Sequence, residues 1–188
     1  MTDSIPDAVL ARFTAAEASL LIDLRRDLHA HPELSWKEVR TQDRLEATLR
    51  GAGISDVRRI ARTGLVARLP GRVEGAPVIA LRGDIDALPI HEATGLPYAS
   101  LSDGVMHACG HDVHASWAVG AALLLHRTPA DGDVLVVLQP AEEVGQGATE
   151  VLDSGALDGV RAIFGAHVDR RFEVGQVVAH AGPLAAST

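Results

Sequence analysis

Apolar residues recur at three- and four-residue steps through Val9, Leu10, Phe13, Ala16, Leu20, Leu21, Leu24 and Leu28, with Arg12, Glu17 and Asp23 left for solvent. That spacing predicts an amphipathic helix from about Asp7 to His29, ended by Pro32. A second helix is expected from about Lys37 to Arg50, with Val39, Leu45 and Leu49 inward and Gly51 and Gly53 stopping it. The pattern then shortens. Val57 to Ile60, Leu65 to Leu69 and Val78 to Arg82 are β-rich runs separated by glycine or proline. The third is almost wholly apolar, as in a strand covered on both faces. A loop punctuated by proline and glycine follows from Ala87 to about His111, and loops of that length in a domain are more often functional than accidental. Asp112 is expected to cap the next helix, which runs to about Arg127 through Ala115, Val119, Ala122 and Leu123. A buried strand from Val134 to Leu138, a short helix around Ala148 to Leu152, and strands from Ala162 to Val168 and Gln176 to His180 complete the series. This order predicts a layered α/β fold, a mixed and largely parallel sheet with helices on both faces.

Composition narrows the partners. With 188 residues, 47% of them hydrophobic, the chain can build one domain around a real core. No apolar run approaches a membrane span, and Thr2, Asp3, Pro6 and Asp7 interrupt any secretory signal pattern. Cys109 is the only cysteine, so it forms no internal disulfide, and a reducing cytoplasm is the expected location. A net charge of −8 argues against nucleic acid or an anionic membrane as main partner, and 3% aromatic residues leave no platform for stacking bases. Lys37 is the only lysine among 17 basic residues, which a GC-rich coding bias explains more simply than function.

The chemistry concentrates in Met106-His107-Ala108-Cys109-Gly110-His111-Asp112-Val113-His114. A thiol and an imidazole separated by a glycine can face one metal ion from a tight loop, and both suit zinc and related divalent ions. Two ligands do not make a site, and an isolated Cys-x-His is as readily a buried cysteine beside a surface turn. Three strand ends supply more: Asp84 and Asp86, Glu142 and Glu143, and His167. Each alone has an ordinary reading as a solvated loop charge or a satisfied histidine. If the strands run parallel, however, all of them meet at one edge, where α/β proteins place their sites. Adjacent Glu142 and Glu143 diverge, so one can bind metal while the other takes a proton from water that a divalent ion has acidified.

Five segments together resemble the M20 metallopeptidase family in its amidohydrolase branch, which includes hippurate, N-acyl-amino-acid and auxin-conjugate hydrolases. They are Arg25-Arg26-Asp27-Leu28-His29-Ala30-His31-Pro32-Glu33-Leu34, Leu81-Arg82-Gly83-Asp84-Ile85-Asp86-Ala87-Leu88-Pro89-Ile90, His107 to His114, Gln139-Pro140-Ala141-Glu142-Glu143 and Gly165-Ala166-His167-Val168. The resemblance implies a site for two divalent ions, zinc or manganese, with Cys109, His111, Glu143 and His167 as ligands. It implies Glu142 as general base and Asp86 as the acid that orients a ligand histidine, and it assigns no role to His107 or His114. The implied reaction is hydrolysis of the amide bond of a small N-acyl amino acid. Family members are longer, with an inserted lid domain that often forms a homodimer and a last histidine ligand beyond it. Residues 1–181 are thus expected to be the N-terminal portion of the catalytic domain and 182–188 the start of a linker into the lid. Two alternatives stand beside the amidohydrolase: a non-catalytic metal-binding module, which would have no need of Glu142, and a dipeptidase or carboxypeptidase of the same family.

Overall fold

Five strands form one mixed sheet in the order β2-β3-β5-β4-β6, namely Val57–Ile60, Gly64–Leu69, Val134–Gln139, Val78–Asp84 and Val160–Gly165. The structure is a computed structural model and describes the backbone of residues 2–4 together with residues 11–179. β4 runs parallel to both β5 and β6, whereas β3 is antiparallel to β5 and to β2. The central β5 is buried along its whole length. Its residues alternate between the sheet's faces as strand geometry requires. Val134, Val136 and Leu138 join the core under helices α1 (Ala15–Ala30), α2 (Val39–Gly51) and α3 (His111–Arg127). Leu135 and Val137 join a smaller core with Val151, from the short helix α4 (Gly147–Asp153). Helices therefore cover both faces, three of the described helices on one side and one on the other. A separate ribbon pairs β1 (Thr2–Ser4) with β7 (Gln176–Val178).

Several boundaries differ from the sequence expectation, each for a local reason. α1 begins at Ala15, not near Asp7. Thr14 and Glu17 form a reciprocal capping box, with the Thr14 N–H donating to Glu17 at 2.8 Å and the Glu17 N–H to Thr14 Oγ1 at 3.2 Å. Residues 7–10 of the expected helix lie outside the described residues, and Ala16 is exposed, not inward. Val39, also expected inward, is 55% exposed because it opens α2 on the solvent side. The N-terminus of α2 is capped from a distance, by the Glu33 carboxylate on the N–H groups of Arg40 and Thr41. Asp112 does not cap α3: Gly110, at φ 89°, holds the cap position and Asp112 lies inside the first turn with its side chain buried. β4 is covered only in part, since Val78, Ile79 and Leu81 are half-buried beside the edge strand β6. β6 stops at Gly165 because its ladder on β4 ends at the Arg82–Gly165 pair, which frees 166–168 from the sheet. The last strand ends at Val178 and pairs with β1, not with the main sheet; His180 and the expected linker 182–188 lie outside the described residues.

The long loop between β4 and α3 has no helix or strand of its own, yet it is tied down. Leu88 and Met106 exchange two backbone hydrogen bonds of 3.0 Å, and Ala87 and Leu101 donate to the carbonyls of Glu33 and Ala30. No described helix is long and apolar enough to cross a membrane.

Candidate metal centre

Parallel pairing of β4, β5 and β6 brings their carboxyl ends to one edge of the sheet. β4 delivers Asp84 and, just beyond, Asp86; β5 leads through Pro140 and Ala141 to Glu142 and Glu143; β6 leads to His167. The loop before α3 places Cys109 and His111 between them. All seven residues singled out from the sequence meet here. Potential ligand atoms of Cys109, His111 and His167 lie within 4.8 Å of one another, as do those of His111, Glu142 and Glu143.

His111 is the hub. Its Nδ1 donates to the Asp86 carbonyl at 2.8 Å and lies 3.2 Å from the Asp86 carboxylate. That fixes the tautomer and leaves Nε2 as an acceptor. Nε2 is buried and has no hydrogen-bond partner among the described residues. It faces three carboxylates, Asp84 at 3.6 Å, Glu143 at 3.6 Å and Glu142 at 3.7 Å. Asp86 is itself held on its other oxygen by the Ser35 hydroxyl at 2.7 Å and the Glu143 N–H at 3.0 Å. One buried carboxylate thus orients an imidazole and the backbone of an acidic neighbour together.

The glutamate pair sits on a strained turn. Ala141 has φ 49°, a left-handed conformation uncommon for any residue but glycine. Its N–H donates to the fully buried carboxylate of Glu38 at 2.8 Å, and the Thr63 hydroxyl donates to the other Glu38 oxygen at 2.6 Å. Past the turn, Glu143 is the more enclosed acid, with 18% of its side chain exposed against 38% for Glu142, and Glu143 Oε1 is buried without a hydrogen-bond partner among the described residues. Burial pushes the Glu143 carboxyl up against the opposing pull of His111, and Glu142 and Asp86 add to the rise.

Cys109 Sγ lies 3.3 Å from His167 Nε2, while His167 Nδ1 donates to the Val168 carbonyl at 2.7 Å. Burial, followed by the charges of Glu143, Asp84 and Glu142, pushes the Cys109 thiol up to about 12. Negative groups crowded this closely, with an orphaned imidazole nitrogen and an orphaned carboxylate oxygen among them, fit a bound divalent cation, which would offset their repulsion. The donor set of sulfur, nitrogen and oxygen suits zinc or a similar ion.

Other motif residues lie behind this cluster. Arg25 Nε and His29 Nδ1 both reach Asp112 Oδ2, at 2.9 and 2.7 Å, and His29 Nε2 lies 3.2 Å from Glu92. His107 is buried, and burial pushes it down to about 4, so it is neutral near pH 7. Sequence reasoning passed over Glu38 and Ser35 because each reads as one polar residue at a helix entrance. Their only signal was proximity to the Pro32 break. Asp84 was singled out at its strand end without a role. It proves to be almost wholly buried and bonded to Arg82 and His114.

The profile of peptidase family M20/M25/M40 matches residues 80–182. A Bacillus subtilis (strain 168) protein named N-acetylcysteine deacetylase is 50% identical over 171 residues, covering 89% of this chain and 44% of that protein. An N-acyl-L-amino acid amidohydrolase of Geobacillus stearothermophilus is 39% identical over 170 residues, covering 89% of this chain and 46% of its own length. Among solved structures, a Bacillus subtilis dinuclear metal-binding peptidase from the M20 family matches with a TM-score of 0.79 at 48% identity, over 83% of this chain and 44% of that one. The chain spans less than half the length of each of these relatives.

Proposed function

Because the chain belongs to peptidase family M20/M25/M40, we propose that the cluster at its sheet edge serves metal-dependent hydrolysis of the amide bond in small N-acyl amino acids. The observation that carries this reading is the buried His111 Nε2, without a hydrogen-bond partner among the described residues and facing Asp84, Glu142 and Glu143. Cys109, His111, Glu143 and His167 would hold the metal, two ions in the complete site. The Cys109 thiolate favours zinc, and the family resemblance also admits manganese. When bound, the metal would polarise the amide carbonyl and make water acidic enough to lose a proton near neutral pH.

The protein's own part is to hold and move that proton. Glu142, the more exposed of the pair, takes it from the attacking water and gives it to the departing amine nitrogen. Asp86 keeps the His111 ring turned so that Nε2 faces the acids. The substrate class is supported by the relatives named above as acting on N-acetylcysteine and N-acyl-L-amino acids.

One set of variants tests both parts. Cys109→Ser and His167→Ala should each bind less zinc than wild type by elemental analysis after reconstitution, and equal content in all three would sink the ligand assignment. Glu142→Gln should keep wild-type zinc while hydrolysis of N-acetyl amino acids by the full-length protein falls by at least about 100-fold, in kcat. If Glu142→Gln loses the metal and Glu143→Gln keeps it, the two roles are exchanged.

A further inference from the structure

His114 sits beside the cluster, and with Asp84 and His111 it forms a third group of convergent ligand atoms. On residue type alone it is as good a metal ligand as His111 or His167. Its hydrogen bonds give it a different task. The His114 ring is 1% exposed, and both nitrogens are engaged. Nε2 lies 3.0 Å from the Val168 backbone N–H, which can only donate, so Nε2 must be the unprotonated nitrogen. Nδ1 therefore carries the hydrogen and donates to Asp84 Oδ1 at 2.6 Å. Asp84 can only accept, since its other oxygen takes the Arg82 guanidinium at 2.5 Å.

The contrast with the proposed ligand histidines is direct. His111 and His167 each spend Nδ1 on a backbone carbonyl, of Asp86 and of Val168, and turn Nε2 toward the cluster. His114 has no nitrogen left. We propose that His114 is a positioning residue for His167: Asp84 fixes its tautomer, and its Nε2 takes the Val168 N–H and so sets where the neighbouring His167 imidazole stands.

Two close approaches build the brace. A Cβ on Gly83 would fall 2.6 Å from the His114 carbonyl oxygen, so only glycine lets α3 lie on β4 tightly enough for His114 to reach Asp84. A Cβ on Gly110 would overlap the Val168 side chain, so the arm carrying His167 rests directly on the turn between Cys109 and His111. The brace joins β4, α3 and the segment after β6, which the sheet itself releases at Gly165.

The metal consequence rests on the ligand reading above, but the brace can be tested without metal. In the metal-free 188-residue chain, long-range nitrogen–proton NMR should show His114 as the neutral Nδ1–H tautomer. A scalar coupling across the hydrogen bond should connect Val168 N to His114 Nε2. Protonation at Nε2, or absence of that coupling, would overturn the proposal. Adding zinc should shift the His111 and His167 nitrogens and leave the His114 tautomer unchanged; a zinc-induced coordination shift on His114 would overturn it as well. If zinc moves none of the three rings while the coupling is present, the metal reading fails and the brace stands. His114→Ala should weaken zinc binding by about 10- to 100-fold. His167→Ala should do the same, the double variant should add nothing further, and His114→Gln, whose oxygen can accept the Val168 N–H, should restore most of the loss. Additive effects in the double variant would make His114 an independent contributor and overturn the proposal.

Discussion

The two flanks of the candidate centre are built differently. On the β4–β5 flank the cluster is held by hydrogen bonds from several elements. His111 is held by the Asp86 carbonyl and carboxylate, Asp86 by Ser35 and Glu143, and the turn before Glu142 by Glu38. Asp86, His111 and Glu38 are buried, so the hydrogen bonds they share form largely away from competing water and their loss strands a partner. On the β6 flank the strand itself is largely exposed, with Ile163 and Phe164 more than half accessible, and His167 is exposed too. Its imidazole bonds to its own neighbour's carbonyl and faces Cys109, and the brace from His114 ties the adjoining backbone. The candidate centre thus combines a flank made rigid by burial with an arm whose position hangs on few contacts.

The largest effect should come from striking the rigid flank. Glu38→Ala removes the acceptor for both Ala141 N–H and Thr63 Oγ1 and leaves two buried donors stranded. Urea denaturation should show a loss of about 3 kcal/mol, at 1–3 kcal/mol for each stranded group. A loss below about 1 kcal/mol would mean that the turn before Glu142 holds itself.

Next is the edge. Among the described residues β6 pairs only with β4, and it carries exposed Ile163 and Phe164, the kind of strand that invites pairing with another chain. The 188-residue chain should self-associate in sedimentation velocity, and Ile163→Lys should shift it markedly toward monomer. An unchanged distribution would place the association elsewhere.

Smaller still is the cost of Asp27→Asn, on the far side of α1. Burial pushes Asp27 up, yet Arg40 and Arg44 outweigh it and hold its carboxyl below the ordinary value. A carboxyl lowered in the folded state stabilises above its unfolded pKa, and that contribution fades as pH falls through the folded value. Its partners are partly exposed, with 41% and 35% of their side chains accessible, so the loss at pH 7 should be under about 1 kcal/mol. The gap between variant and wild type should close in strongly acidic buffer; a gap constant with pH would rule out the charge as its source.

The smallest effect sharpens the contrast. His167→Ala should leave the stability of the metal-free chain within about 0.5 kcal/mol of wild type, since it deletes an exposed side chain. A loss comparable with that of Glu38→Ala would mean that the β6 arm is as firmly built as its opposite flank.

By itself the sequence determined the element order from α1 to β6, the mixed sheet with helices on both faces, and the seven residues that gather at its edge. It could do so because these are encoded locally. Periodicity marks helices and strands, glycine and proline mark their ends, and paired polar residues stand out just beyond apolar strands. Element ends were less legible where a distant partner decides them. β6 stops where its ladder on β4 runs out, and Asp112 turns inward to His29 and Arg25 when it could have capped a helix.

Only the tertiary structure decided which nitrogen of each histidine is free, and that Glu38, 103 residues before Ala141, holds the turn leading to the glutamate pair. It also separated His114 from His111, two imidazoles three positions apart on one helix that are equivalent by residue type. A hydrogen bond depends on where donor and acceptor meet in space. Asp84, Asp86 and Val168 reach these rings only after β4, α3 and the segment beyond β6 have been brought to one edge of the sheet.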